Sequence, residues 1–153
     1  MKHKKILFVC TGNTCRSPMA EAALKAELKR RKIRWYNVQS AGLAAHEGDR
    51  MSANSRQALS EAKIPYSEEF CAHRLTEKML DEAYAVVCMT EDQCRQLCGR
   101  PNVTSMLVLA GKEIPDPYGQ SIEVYRTTLR VIRECMSRVI KGLHIEEAQA
   151  EQQ

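Results

Sequence analysis

Long apolar runs are missing from this sequence. No uninterrupted apolar segment approaches the roughly 20 residues a helix needs to cross a bilayer. Met1-Lys2-His3-Lys4-Lys5 leads directly into a short strand instead of a secretory apolar core. Neither a membrane partner nor export is expected, and the predicted location is the cytoplasm. Internal repeats and low-complexity segments are missing as well, so a repeat array is not expected. An even cysteine count is also missing: seven cysteines without an export signal point to reduced thiols, not a disulfide framework. Cys94 and Cys98 share a helix face at four-residue spacing, but no second ligand pair with zinc-like spacing accompanies them. They read as packed thiols, and neither a metal nor another cofactor is expected. Charge of one sign is concentrated nowhere. The net charge of +4 is mild, with Arg30-Arg31-Lys32 at a helix end where cations are favoured, and it implies no nucleic-acid partner.

What remains is an ordinary globular chain. Its 153 residues, 44% hydrophobic and 27% charged, suffice for one domain with a real core, predicted over 1–153 with the polar stretch 144–153 fraying. Ile6-Leu7-Phe8-Val9 is a continuous apolar run, the pattern of a strand buried on both faces of a parallel sheet. A helix is expected from about Pro18 to Arg31, with Ala20, Leu24 and Leu28 on one face and Glu21 paired with Lys25 on another. Further strands are expected at Tyr36–Ser40, Ala83–Met89 and Ser105–Leu109. Further helices are expected at about Ser52–Ala62, Thr76–Glu82 and Asp92–Cys98, the last closed by Gly99. Leu43–Arg50, Phe70–Leu75 and Ala110–Gln120 read as loops. Ile122, Tyr125, Leu129, Ile132, Met136, Val139 and Leu143 recur at three and four residues, which predicts a long amphipathic helix. Strands alternating with helices imply an α/β fold whose ligand site lies beyond the carboxyl ends of the strands.

The stretch Val9-Cys10-Thr11-Gly12-Asn13-Thr14-Cys15-Arg16-Ser17-Pro18 sits at such an end. Five small or polar residues separate Cys10 from Arg16, enough for a tight concavity whose N–H groups point inward and bind an anion. Ser17 and Pro18 then start a helix, proline at the first helical position giving up no needed donor. The positive end of the helix dipole faces the nest, and phosphate-like oxyanions suit it. The same amides and the Arg16 guanidinium surround the Cys10 sulfur with positive charge, which favours thiolate over thiol and makes a nucleophile. Arg16 presents a planar fork that matches two oxygens of a phosphoryl group. The blander alternative, a buried cysteine beside an unrelated arginine, leaves these mutually useful offsets as coincidence.

The run VCTGNTCRSPMAEA resembles the active-site signature of the low-molecular-weight protein tyrosine phosphatase family, and within it the bacterial protein-arginine phosphatase branch. Asp116-Pro117-Tyr118-Gly119 resembles a second family element, and Ser40-Ala41-Gly42 and Leu75-Thr76 fall at the expected intermediate places, so the similarity spans about residues 4 to 143. It implies a doubly wound four-stranded parallel sheet, helices on both faces, and a phosphate-binding loop after the first strand. It implies hydrolysis of phosphorylated protein side chains through a cysteinyl-phosphate intermediate without a cofactor. In that scheme Cys10 attacks, Arg16 and the loop residues Thr11 to Ser17 bind phosphoryl oxygens, and Asp116 protonates the leaving atom before activating water. Tyr118 would wall the substrate pocket. Taken alone, an aspartate between Pro115 and Pro117 is ordinary turn chemistry. The resemblance further implies that Asn13 holds a left-handed bend, that Ser17 donates to the Cys10 thiolate, and that Ser40 ties Asn13 down. Cys15 is implied to face Cys10 within disulfide reach, and it reads equally well as a space filler. One departure stands out: many members place a histidine where this chain has Phe70, which leaves His73 as a surface or loop residue.

Between phosphoarginine and phosphotyrosine, Thr14 favours phosphoarginine, because family members acting on phosphotyrosine carry a bulky aliphatic residue there. Leu43 to Arg50 also contains no aromatic residue to sandwich a second ring. The alternatives are a phosphotyrosine-specific phosphatase, an arsenate reductase using Cys88, Cys94 and Cys98 as a relay, and a non-catalytic phosphoprotein-binding module.

Overall fold

The computed structural model describes residues 3–97 and 99–145. Four strands, β1 (Lys4–Cys10), β2 (Tyr36–Gly42), β3 (Ala85–Cys88) and β4 (Val103–Ser105), form one parallel sheet in the order β2-β1-β3-β4. Pairing brings Cys10 beside Gly42, Val9 beside both Ala41 and Cys88, and Cys88 beside Ser105, so the carboxyl ends share one edge. The central strand obeys the two-residue period of β structure. Ile6, Phe8 and Cys10 enter a large apolar cluster on one face, whereas Leu7 and Val9 enter a smaller one on the other.

Helices cover both faces. Against the large cluster pack α1 (Arg16–Arg30), α2 (Ala53–Glu61) and the long α6 (Ile122–Gly142), whose buried Tyr125, Leu129, Ile132, Met136 and Val139 follow the predicted stripe. The smaller cluster takes Leu80 from α3 (Glu77–Glu82) and, at its margin, Cys94 from α4 (Glu91–Arg95). No helix of the described residues is long and apolar enough to cross a membrane.

Four expectations need correction. Ser105–Leu109 is not the last strand: the ladder uses the β-branched Val103 and Thr104 and stops at Ser105, and Met106–Ala110 is a short helix, α5. Ser105 caps it, its Oγ accepting from Val108 N, and Gly111 ends it with φ +76°. A four-residue apolar run fits either state, and the serine and glycine brackets decide it. α1 begins at Arg16, so Pro18 is its third residue; the missing N–H still belongs to the first turn, where donors have no helical partner. α4 closes at Arg95, earlier than expected, and Cys98 lies outside the described residues. Within the stretch expected to fray, Ile145 is fully buried in the large cluster and its carbonyl accepts from the Tyr36 hydroxyl at 3.1 Å, while 146–153 lie outside the described residues.

Candidate active site

β1 delivers Cys10 to the carboxyl edge, and residues 11–15 bend through a loop into α1. Three carbonyls of this stretch are held by neighbouring segments: Cys10 O accepts from Leu43 N, Thr11 O from Ala44 N, and Thr14 O from Ser52 N, each at 2.9 Å. Among the described residues, the amides of Thr11 to Cys15 donate to no main-chain carbonyl. With these carbonyls occupied, the N–H groups are left for an anion. Thr11 is also pinned through its hydroxyl, which accepts from Gln93 Nε2 at 3.3 Å. Gln93 is itself buried and fixed, its Oε1 accepting from Met89 N and Thr90 N.

The bend turns on Asn13, which is fully buried with φ +56°. Its Oδ1 accepts from His73 N, and its Nδ2 donates to Ser17 Oγ and Ser40 Oγ, all three at 2.9 Å. Ser17 Oγ lies 2.8 Å from Cys10 Sγ. Asn13, Ser17 and Ser40 thus form one buried hydrogen-bonded cluster beside Cys10. His73 enters only through its main chain: its ring is exposed and faces Glu47 at 3.2 Å.

Arg16, 5% exposed, opens α1 and donates from Nη1 to Ile114 O at 3.0 Å. Its Nη2 stands 3.7 Å from Asp116 Oδ2. Asp116 is half-exposed and shaped by its own loop, with Oδ1 accepting from Tyr118 N and its carbonyl from Gln120 Nε2, both at 3.1 Å. Tyr118, 76% exposed, stands clear of the core. The structure therefore brings Cys10, Arg16 and Asp116 to one edge, although 100 residues separate the last two.

Cys15 is buried, its sulfur 3.3 Å from the Tyr125 hydroxyl and 3.5 Å from Ser52 Oγ. Burial, then the hydrogen bond to Cys15, pushes the Tyr125 hydroxyl up to about 12, so it remains protonated. Cys88 is fully buried, and desolvation with Cys94 alongside pushes its thiol up to about 12. A thiol held so far from ionisation is a poor relay nucleophile. Sequence reasoning missed Gln93, Ser52 and Tyr125 as supports of the loop. The Thr90-x-x-Gln93 capping box was the one local sign of a fixed glutamine.

A family model described as low molecular weight phosphotyrosine protein phosphatase matches residues 5–150. The chain belongs to that family. It is a cysteine-dependent protein phosphatase. The protein-arginine-phosphatase of Bacillus subtilis is 33% identical over 146 residues, spanning 90% of this chain and 95% of its own. The low molecular weight protein-tyrosine-phosphatase PtpB of Staphylococcus haemolyticus is 37% identical over 130 residues, 81% of this chain and 88% of that one. A solved YwlE arginine phosphatase mutant with a phosphorylated active-site serine superposes with a TM-score of 0.86 at 31% identity, covering 95% of this chain and 99% of that one.

Gly42 gives the loop geometry a direct test. A Cβ there would stand 2.6 Å from Thr11 O and 3.0 Å from Asn13 N, so alanine must push the loop away. Gly42→Ala should lower kcat/KM on an aryl phosphate by about a hundredfold, the cost of a misplacement near 1 Å. Its far-UV spectrum should remain that of the parent; an unaltered kcat/KM would show that the close approach does not shape the loop.

Proposed function

We propose that this phosphatase acts on phosphoarginine in proteins, through a cysteinyl-phosphate on Cys10. The convergence of Cys10, Arg16 and Asp116 around one loop carries the reading. Cys10 attacks phosphorus as the thiolate, with Ser17 donating to the sulfur. The loop amides and Arg16 hold the equatorial oxygens as charge develops on them. The phosphorus–nitrogen bond breaks toward nitrogen, which takes a proton from Asp116. The resulting carboxylate then draws a proton from water as that water attacks the cysteinyl-phosphate, and the sulfur leaves as thiolate.

Thr14 supports the choice of phosphoarginine. It is half-buried in the loop, with its hydroxyl 3.7 Å from the Cys15 sulfur. A small hydroxyl-bearing residue leaves room for a planar guanidinium and offers it a polar contact. Asp116 places its carboxyl group at the same guanidinium, one oxygen accepting from its N–H groups while the other carries the proton for the leaving nitrogen. Relatives named for phosphoarginine and for phosphotyrosine are both similar to this chain, so phosphotyrosine is the second reading, and an exposed Tyr118 serves either substrate as a wall. A cysteine relay of the arsenate-reductase kind is disfavoured by the full burial of Cys88, which opposes ionisation of its thiol. An odd count of seven cysteines supports a reducing, cytoplasmic workplace, and Cys10 and Cys15 share one loop, where a disulfide formed between them on oxidation would protect the nucleophile.

Two substitutions test the reading. Asp116→Asn should slow hydrolysis of poor leaving groups by roughly 10²–10⁴, the usual size of general acid–base catalysis. Activated aryl phosphates should suffer much less, and an equal loss on both would leave Asp116 a purely structural role. Thr14→Ile should lower kcat/KM on phosphoarginine peptides relative to phosphotyrosine peptides by about 10- to 200-fold, the range of single-group changes in a pocket. Parallel losses on the two, or a wild-type preference for phosphotyrosine, would overturn the specificity.

A further inference from the structure

We propose that Glu21 is a positioning residue for the nucleophile: its carboxylate terminates one arm of a hydrogen-bond network that diverges from the Asn13 amide, and the other arm ends on the Cys10 sulfur. The inference rests on the reading of Cys10 as the nucleophile. Direction is fixed at Asn13. Because Oδ1 accepts from a main-chain N–H that can only donate, the amide cannot be flipped, and Nδ2 must donate to both serines. Each serine hydroxyl therefore accepts from Asn13 and has its own proton to place elsewhere.

Ser17 places its proton on Cys10 Sγ at 2.8 Å, which stabilises a thiolate. Ser40 places its proton on Glu21 Oε1, also at 2.8 Å. Glu21 is on α1, and its side chain is only 16% exposed. Its other oxygen takes the Lys25 ammonium at 2.9 Å, which keeps the carboxylate charged and its Oε1 turned to Ser40. Lys25 is the cation that meets Glu21 from its own helix; Glu69 and His73 line the same groove, and the His73 ring is turned to Glu47. Without an accepting oxygen at 21, the Ser40 hydroxyl loses its acceptor and is free to rotate off Asn13. The left-handed bend then loses one of its three anchors, and Ser17 loses its fixed aim.

The test uses the full chain with Glu21→Ala and Glu21→Gln. Alkylation of Cys10 by iodoacetamide, located by peptide mass, is followed at about pH 6 and pH 9 beside kcat and KM on p-nitrophenyl phosphate. In Glu21→Ala the pH 6 alkylation rate and kcat should fall about tenfold, the size of one lost hydrogen bond to a charged group, with little change in KM. The alkylation gap should close at about pH 9, where thiols ionise without help. Glu21→Gln keeps an accepting oxygen and should stay within about twofold of wild type. In a Ser40→Ala background, Glu21→Ala should add no further loss, which also covers the case of a poorly folding single variant. The proposal is overturned by an alkylation rate in Glu21→Ala equal to wild type at pH 6. A deficit of the same size at both pH values, equal losses in the alanine and glutamine variants, or additive losses with Ser40→Ala would overturn it as well. Wild-type protein that hydrolyses phosphate esters while Cys10 resists alkylation would bring down the nucleophile assignment itself.

Discussion

The site depends on one residue bending the wrong way. Asn13 holds φ at +56° in a fully buried position, a conformation that costs a non-glycine residue about 1 kcal/mol or more. Three hydrogen bonds offset that cost, and they come from separate parts of the chain: Ser17 at the start of α1, Ser40 in β2, and the main chain of His73. The bend is thus also the point where the first turn of α1, the second strand and the 70–75 segment are tied together. Gly42 adds a constraint of the opposite kind, an absence of atoms that lets Thr11 come close.

The same tie explains why Cys10 and its supports lie so far apart in sequence yet so rigidly related in space. β1 and β2 run parallel in register, so Cys10 and Gly42 end together and Ser40 lies two residues below. Gly42 N in turn donates to His73 O, and Leu75 N to Gly42 O, extending the edge of the sheet to the segment that supplies the Asn13 contact. Arg16 is fixed from another direction, by the carbonyl of Ile114, whose own N–H donates to Met89 O at the end of β3. Of the residues proposed for catalysis, Cys10 and Arg16 are positioned by a strand end and by the first turn of one helix, and Asp116 lies on an exposed loop. That division suits the chemistry: phosphoryl binding needs a rigid cradle, while a proton donor has to meet leaving groups of different size.

Much of this was legible in the sequence because it is local. Cys10 through Pro18 encodes strand end, nest, cation and helix start within one short stretch of chain, and Ser40 was legible as a tie on Asn13 through the family pattern, whereas the His73 main-chain contact was not. The long helix was legible because seven apolar positions repeat at a single period. What escaped was non-local or ambiguous. Gln93 reaches Thr11 across 82 residues, and nothing in its neighbourhood beyond a capping box marks it. Glu21 read as half of a surface pair with Lys25, which it is through one oxygen; the other oxygen turns inward, and no spacing rule shows that. The short run after Ser105 was assigned to a strand because length cannot separate a buried strand from a one-turn helix.

At the centre of the account lies a covalent bond between the Cys10 sulfur and phosphorus. Rapid acid quench of wild-type protein mixed with a phosphoarginine peptide, followed by peptide mapping, reads that bond directly. A transient phosphoryl group on the peptide bearing Cys10, appearing before inorganic phosphate and decaying as phosphate accumulates, is the predicted result. Release of phosphate at the full rate with no phosphoryl group on Cys10, or with one on another side chain, would contradict it.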